Sequence, residues 1–398
     1  MRVLSGADLV LPDRIITNGS LLIEGSQIAA IDPRSRAAPA GAEIIEIGSG
    51  YVVPGFIDVH VHGVHGHDTL DGEDAVRAIA LVLPRYGVTA FCPTTVACAP
   101  DALRDFCGQV RRARIEAMPG AARVLPAHLE SNFINPEFRG AQPAACLRTS
   151  VGAVAAFRSD ADFSADDILG AIGSARPDVG IITVAPEIAG GLDLVRSLVA
   201  AGHRVSLGHS GADFETAVAA IEAGARHATH LFNRMTPITH RSPGLAGAVL
   251  AREEIAAELI CDGYHVHPAM CRVAIASKGA HRVMAITDGT AASGLAVGAS
   301  ARLGGRPIRA GEGAAFLDDG TLAGSTLTMD AAFRNIVGMF GGSIAEAATL
   351  CSTTPARELG LTGFGVIAQG ATADLVVLDR ALNVTRTFIG GEEVWRAK

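Results

Sequence analysis

Pro54-Gly55-Phe56-Ile57-Asp58-Val59-His60-Val61-His62 is the stretch that decides how this chain folds. Its apolar run predicts a buried strand; a proline–glycine pair opens it, and Gly63 follows it as a turn residue. Because side chains alternate between the two faces of a strand, His60 and His62 project to the same side. The stretch therefore predicts a strand with two imidazoles at its carboxyl end, either as half of a metal site or as hydrogen-bonded core histidines.

Further apolar runs follow this strand, and helical patterns separate them. The runs end near Thr95, Glu130, Glu187, His209, Asn233, Asp262 and Asp288. The helical patterns include Ala75–Tyr86, Pro100–Glu116, Leu192–Ala201 and Phe214–Ala223. With the opening strand, these runs make eight βα units, the number found in a closed (β/α)₈ TIM barrel. We therefore expect an α/β fold with a parallel barrel, and a substrate loop around residues 132–147 before the fourth strand.

The two ends of the chain differ from this alternating middle. Short strand patterns separated by turn residues fill the N-terminal part, and three more surround the Gly390-Gly391 turn near the C-terminus. We expect one small β-sandwich domain built from both chain ends. The predicted boundaries are residues 1–53 and 356–398 for the sandwich, and residues 54–355 for the barrel.

Composition and charge argue against several classes of function. Of the 398 residues, 49% are hydrophobic, which suffices for a large core, and the formal net charge is −8. An acidic chain with scattered basic residues is not expected to bind nucleic acid. No apolar run approaches the ~20 residues of a membrane span, and the first residues lack a signal-peptide pattern. We therefore expect a soluble cytoplasmic protein that does not bind membranes.

Barrel enzymes carry their chemistry at the carboxyl ends of the strands. In this chain those ends supply His60, His62, Glu130, His209, His230 and Asp288. Imidazole and carboxylate together favour a divalent metal, with Zn²⁺ as the first choice and Fe²⁺ as the alternative. Such an ion lowers the pKa of water from 15.7 to about 7. Asp288 is the candidate group that takes the proton of this water and later gives it to a leaving amine.

Further sequence blocks follow in a fixed order. They include His128-Leu129-Glu130, Gly208-His209-Ser210, Thr229-His230-Leu231-Phe232-Asn233, Arg241-Ser242-Pro243-Gly244, Asp262-Gly263-Tyr264-His265, Thr287-Asp288 and Gly324-Ser325-Thr326. Together with the opening stretch, these blocks resemble the N-acetylglucosamine-6-phosphate deacetylase family of the amidohydrolase superfamily. Each block alone is a weak signal, whereas their common order, from Pro54 almost to the C-terminus, is specific.

The resemblance implies roles for the residues of the candidate metal site. Glu130, His209 and His230 would bind the main ion, and His60 and His62 would hold a second ion bridged by Glu130, so that one or two ions are bound per chain. Many two-metal members of the superfamily use a carbamylated lysine from the fourth strand as the bridge. This chain has no lysine there, so a glutamate bridge is the consistent choice.

The resemblance also implies how the substrate is bound. Asn233, Arg241 and His265 would bind a sugar phosphate, since a planar guanidinium suits phosphate oxygens. Gln142 stands where the family carries a histidine that helps to polarise the substrate carbonyl. It keeps a hydrogen-bond donor but cannot carry a positive charge. A second departure is Ser131-Asn132, where the family has Gly-Pro after the glutamate.

The expected activity is metal-dependent hydrolysis of the N-acetyl amide of N-acetylglucosamine 6-phosphate, a step of amino-sugar catabolism. The substrate-loop departures keep open the same chemistry on another N-acyl substrate, such as N-acetylgalactosamine 6-phosphate, a non-phosphorylated N-acetyl sugar or an N-acyl amino acid. A non-catalytic metal-binding scaffold is a further alternative, although such a scaffold has no need for the complete set of ligands. A homodimer is also implied by the resemblance.

Overall fold

The computed structural model describes residues 1–32, 39–72, 74–116, 118–150 and 163–398. Within these ranges, eight parallel strands form a barrel, and we number them one to eight in chain order. They are Phe56–Val61, Val88–Thr95, Ala127–Leu129, Val179–Val184, Arg204–Leu207, His227–Ala228, Ala256–Ile260 and Val283–Ile286. The short strand Arg123–Val124 pairs with strand two beside them. The predicted α/β barrel is therefore confirmed.

The barrel closes at the residues that the sequence singled out. Strand one pairs with strand two, and the segment after strand eight returns to strand one. The Asp288 amide donates to the His60 carbonyl at 3.0 Å, and the His62 amide donates to the Gly289 carbonyl at 2.8 Å. The seam of the barrel thus fixes the backbone of both histidines against that of Asp288.

Helices cover the outside of the barrel because each has an apolar face toward the strands. Pro100–Ile115, for example, buries Leu103, Phe106 and Val110, which lie at helical spacing on one side. The α-helices are Ala75–Val82, Pro100–Ile115, Ala165–Ser174, Gly191–Ala200, Phe214–Glu222, Gly244–Ala251, Pro268–Lys278, Met329–Gly338, Ile344–Ala348 and Thr354–Leu359. Shorter helical turns are Leu83–Tyr86, Pro136–Phe138, Ala144–Cys146, Ala280–Arg282 and Thr349–Thr353. In the described ranges, none of these helices has the length and apolar character needed to cross a bilayer.

The two chain ends form the predicted small β-sandwich. Its strands are Arg2–Val10, Ile15–Glu24, Gln27–Asp32, Glu43–Glu46, Tyr51–Pro54, Leu375–Leu378, Val384–Ile389 and Glu392–Arg396. The N-terminal strands also contact the C-terminal segment, since the Ile28 amide donates to the Ala371 carbonyl at 2.9 Å and Arg2 Nη1 donates to the Gly391 carbonyl at 2.6 Å. Between the layers lies a separate core that includes Leu4, Leu21 and Phe388. The exact domain boundaries stay predictions.

A second small sheet was not predicted. After strand eight, four antiparallel strands follow one another at Ser300–Leu303, Arg306–Ala310, Ala314–Phe316 and Leu322–Ser325. Their core packs against Val96, which directly follows strand two. We call these four strands the cap sheet, because they lie beside the carboxyl ends of the barrel strands. Two short strands, Gly63–Val64 and His67–Asp68, pair nearby.

Candidate active site

Glu130 lies between two histidines at the carboxyl ends of strands three, five and six. Its Oε1 atom is 2.7 Å from His209 Nε2 and 2.8 Å from His230 Nε2, and the two nitrogens are 3.1 Å apart. All three side chains are buried. When two imidazole nitrogens bind the same Zn²⁺ ion, each at roughly 2.0–2.1 Å, the two nitrogens lie about 3 Å apart. The donor atoms therefore fit a divalent ion.

A second group of donor atoms lies beside the first. His60 Nε2 and His62 Nε2 are 3.2 Å apart, and Asp288 Oδ1 is 3.3 Å from each of them. Glu130 connects the two groups, since its Oε2 atom is 3.5 Å from His62 Nε2. The structure thus brings all six residues predicted for the metal site and the proton transfer into one cluster.

Three of these residues share an uncommon backbone conformation. The φ angles are 48° at His209, 28° at His230 and 49° at Asp288, all in the left-handed region that residues with a Cβ atom rarely adopt. Each lies just past the end of its strand, where the chain turns away from the barrel. Strained conformations of this kind concentrate at functional sites, because the surrounding fold holds them in place. The turns aim the side chains at the centre of the barrel mouth.

The charges in the cluster favour a cation. Burial by itself would raise the pKa of Glu130, but His209 and His230 outweigh it and hold that pKa well below its usual range. Burial would likewise raise the pKa of Asp288, yet His60 and His62 keep it below the usual value. Both side chains are therefore anionic at neutral pH. Burial opposes protonation of His62, but hydrogen bonds to Asp288 and Glu130 raise its pKa to about 10. The two carboxylates thus attract positive charge to this point.

The cluster forms the floor of a cleft with a volume of ≈ 470 Å³, in the usual range for small-molecule sites. Of the residues predicted to bind substrate, Gln142, Asn233 and His265 line this cleft. Arg241 does not line it and is exposed on the following loop. Arg234 lines the cleft instead, and the sequence did not single it out.

Gln142 is already engaged by protein atoms. The Ala97 amide donates to Gln142 Oε1 at 2.7 Å, which orients the side-chain amide. Gln142 Nε2 then donates to Glu130 Oε2. The side chain therefore holds the Glu130 carboxylate, whereas the sequence predicted a hydrogen bond to the substrate carbonyl. That substrate contact stays a prediction.

The Asp262 carboxylate fixes the position of His265. Its Nδ1 atom lies 2.6 Å from Asp262 Oδ2, and the same carboxylate accepts from the His265 and Tyr264 amides, both at 2.8 Å. Because Nδ1 is engaged, Nε2 is the ring nitrogen that remains for a ligand. Among the described residues, the side-chain amide of Asn233 donates only long bonds, at 3.3 and 3.4 Å, to nearby backbone carbonyls. Both side chains are therefore available to a bound molecule.

Several supporting residues escaped the sequence prediction. Glu187, after strand four, accepts hydrogen bonds from Ser210 Oγ at 2.7 Å and the Gly211 amide at 2.6 Å, and so fixes the turn that carries His209. The cap sheet adds Leu303, Leu322 and Gly324 to the cleft wall. Glu258 lies inside strand seven, with its Oε2 atom 2.9 Å from His60 Nδ1. An acidic residue within the apolar run Ala256–Ile260 was the available signal for this contact.

Comparison with known proteins agrees with this geometry. Residues 51–394 match the amidohydrolase family. The chain is 36% identical to the N-acetylglucosamine-6-phosphate deacetylase of Bos taurus, over 97% of this chain and 95% of that protein. It is 33% identical to the N-acetylgalactosamine-6-phosphate deacetylase of Escherichia coli O157:H7, over 98% of each.

A solved structure extends the likeness to three dimensions. It is a mutant N-acetyl-D-glucosamine-6-phosphate deacetylase from Mycobacterium smegmatis in complex with N-acetyl-D-glucosamine-6-phosphate. That chain superposes with a TM-score of 0.87 at 32% identity, with 99% of each chain covered. The identities, the coverage and the shared fold lead to one conclusion. This chain belongs to the amidohydrolase family and, within it, to the family of the N-acetylglucosamine-6-phosphate deacetylases.

Proposed function

We propose that this chain hydrolyses the N-acetyl amide of N-acetylglucosamine 6-phosphate, giving glucosamine 6-phosphate and acetate. The observation that carries the proposal is the cluster on the floor of the cleft, where Asp288 Oδ1 lies 3.3 Å from both His60 Nε2 and His62 Nε2 and faces the open space. The named relatives support the choice of substrate.

The residues of the cluster have separate tasks in this proposal. Glu130, His209 and His230 would hold one divalent ion, and His60 and His62 would hold a second with Glu130 as the bridge. Zn²⁺ is our first choice and Fe²⁺ the alternative, because both accept imidazole and carboxylate ligands. When bound, such an ion lowers the pKa of water from 15.7 to about 7 and polarises a carbonyl oxygen.

Asp288 would move the proton in both halves of the reaction. As an anion it accepts a proton from the water that attacks the acetyl carbon, and a C–O bond forms. The C–N bond then breaks, and Asp288 gives the same proton to the departing nitrogen. One water is consumed, and the products are acetate and the free amine. The lowered pKa of Asp288 supports its start as a base.

We propose that another part of the cleft binds the phosphate. His265 and Asn233 line the cleft and have ring or amide N–H groups to donate. The sequence resemblance also assigns Arg241, and we add Arg234 as the guanidinium that lines the cleft. An arginine offers two parallel N–H groups to phosphate oxygens, which gives both charge and orientation.

A substrate with a different sugar is the second candidate. The relative from Escherichia coli O157:H7 is a deacetylase of N-acetylgalactosamine 6-phosphate, and Gln142 replaces a family histidine beside the reacting groups. We extend the proposal to a homodimer, as the resemblance implies, and to the cytoplasm, since the first residues lack a signal-peptide pattern. Light scattering in solution tests the dimer by its mass, which would be twice the 40.8 kDa of one chain.

The substrate test is a comparison of acetate release from four compounds by the Zn²⁺-loaded protein. They are N-acetylglucosamine 6-phosphate, N-acetylgalactosamine 6-phosphate, unphosphorylated N-acetylglucosamine and an N-acyl amino acid. We expect the first to give the highest kcat/KM and the unphosphorylated sugar to be the poorer sugar substrate. A preference for N-acetylgalactosamine 6-phosphate would identify that sugar phosphate as the substrate. Preference for the N-acyl amino acid, or no turnover of any compound, would contradict both.

A further inference from the structure

Glu258 is a charged residue in an unexpected place. It lies in the middle of strand seven and is fully buried. Its Oε2 atom is 2.9 Å from His60 Nδ1 and 3.4 Å from the His230 amide nitrogen. Within the described part of the chain, its Oε1 atom has no hydrogen-bond partner. Burying a carboxylate costs free energy unless strong partners compensate, so the contact with His60 calls for an explanation.

We propose that Glu258 is a positioning residue that prepares His60 to bind the second metal ion. The carboxylate accepts the proton of His60 Nδ1, so the neutral ring carries its hydrogen on that side. The lone pair of Nε2 then faces the second donor group, where His62 Nε2 lies 3.2 Å away and Asp288 Oδ1 lies 3.3 Å away. The inference rests on the metal-dependent function proposed above.

The same support is not given to the other histidines of the cluster. His209 Nδ1 faces a neutral acceptor, the Phe138 carbonyl, at 2.8 Å. In the ranges that the structure describes, the Nδ1 atoms of His62 and His230 have no hydrogen-bond partner. In the described part of the chain, therefore, only the second group, His60, His62 and Asp288, has a carboxylate bonded to the Nδ1 atom of one of its imidazoles. Loss of such a partner typically lowers metal affinity by about 10–100-fold.

The direct test is a titration of metal-free protein with Zn²⁺, followed by calorimetry and by elemental analysis after dialysis. We expect the wild-type chain to bind two ions. Glu258→Gln should keep the affinity of the first ion and weaken the second by about 10–100-fold. Glu358→Gln is the matched control, because Glu358 lies 3.8 Å from another buried histidine, His227, which begins strand six and is not among the donor residues. It should bind both ions like the wild type.

Three results would overturn the inference: one ion in the wild type, unchanged affinities in Glu258→Gln, or equal weakening of both ions in that variant. If Glu258→Gln does not fold, nitrogen NMR of the metal-free wild type still tests the tautomer. The ring of His60 must then be protonated on Nδ1, and protonation on Nε2 would overturn the inference. These measurements use no sugar, so failure of the deacetylase proposal would appear separately, as an inactive protein with two bound ions.

Discussion

Arg234 and Arg241 follow the same barrel strand but have different surroundings. Arg234 lines the cleft, and within the described residues its guanidinium has no ion-pair partner. A Cβ atom on Gly140 would lie 2.6 Å from Arg234 Nε, so the absence of a side chain there makes room for the arginine. Arg241 is exposed away from the cleft.

Arg234→Ala should weaken binding of the phosphorylated substrate. We expect KM for N-acetylglucosamine 6-phosphate to rise about 10–100-fold, because a hydrogen bond to a charged group contributes roughly 1.5–3 kcal/mol. Activity on unphosphorylated N-acetylglucosamine should stay the same, and this serves as the internal control. Steady-state kinetics with both substrates measure these changes in KM and activity. An unchanged KM would remove Arg234 from the phosphate site, and Arg241→Ala measured in parallel tells which arginine has that role.

Buried His227 should make the stability of the folded chain depend on pH. It is fully buried in strand six, and neither ring nitrogen has a hydrogen-bond partner among the described residues. Burial lowers its pKa to about 3, from an ordinary value near 6.5. Below pH 6.5, His227 therefore binds a proton in the unfolded chain but stays neutral in the folded chain. This lowers the free energy of unfolding as the pH falls from 6.5 toward 3, whereas above pH 6.5 there is no contribution.

His227→Leu should remove this pH dependence. At pH 5 the contribution is about 2 kcal/mol, since each pKa unit corresponds to about 1.36 kcal/mol. Denaturant unfolding at pH 7.5 and pH 5 measures the effect in both proteins. We expect the loss of stability between these two pH values to be about 2 kcal/mol smaller in the variant. Equal losses would mean that His227 is protonated in the folded state.

Among the elements of the fold, the seam between strands eight and one holds the backbone around Asp288 in place. Thr287 Oγ1 donates to the buried Asp58 carboxylate at 2.6 Å and accepts from the Gly289 amide at 3.1 Å. Asp58 also accepts from the His60 amide at 3.3 Å. One hydroxyl thus links the backbone of strand one to the turn that presents Asp288.

Thr287→Val removes this hydroxyl at nearly constant shape. We expect stability to fall by about 1–3 kcal/mol, because Asp58 keeps its burial but loses a donor. Turnover should fall by up to about 10²-fold, since displacement of Asp288 by about 1 Å suffices for such a loss. Thr385→Val is the control, as Thr385 makes a comparable bond, at 3.1 Å to the Val377 carbonyl, in the end sandwich. Thermal unfolding and kcat separate the two variants; full activity in Thr287→Val would contradict the role of the seam.

The cap sheet shows where element prediction fails. Its strands are only three to five residues long, and a short run has too few residues for an alternating pattern to be recognised. The turn pairs Gly304-Gly305 and Asp319-Gly320 were visible in the sequence. Without a known partner for the apolar residues, such turns are equally compatible with an irregular loop. Val96, which contacts this sheet, lies some 200 positions earlier in the chain.

For the whole molecule, the sequence predicted the barrel and the positions of the polar strand ends because both follow from local periodicity. His60 and Asp288 could be placed at strand ends, but their separation depends on closure of the ring, which no local pattern contains. Glu258 was missed because one acid in an apolar run does not tell which neighbour it meets. Arg241 was selected by its motif, and its role in binding the phosphate stays a prediction.

For the whole molecule, we propose that this barrel uses Asp288 to move protons during metal-dependent amide hydrolysis. The most direct measurement is acetate release from N-acetylglucosamine 6-phosphate by the wild type and by Asp288→Asn, at equal metal content. We predict that the variant binds metal in the first group, Glu130, His209 and His230, like the wild type. Its kcat should fall by about 10²–10⁴-fold, the usual contribution of a positioned acid and base. Turnover close to that of the wild type would show that Asp288 does not transfer the proton.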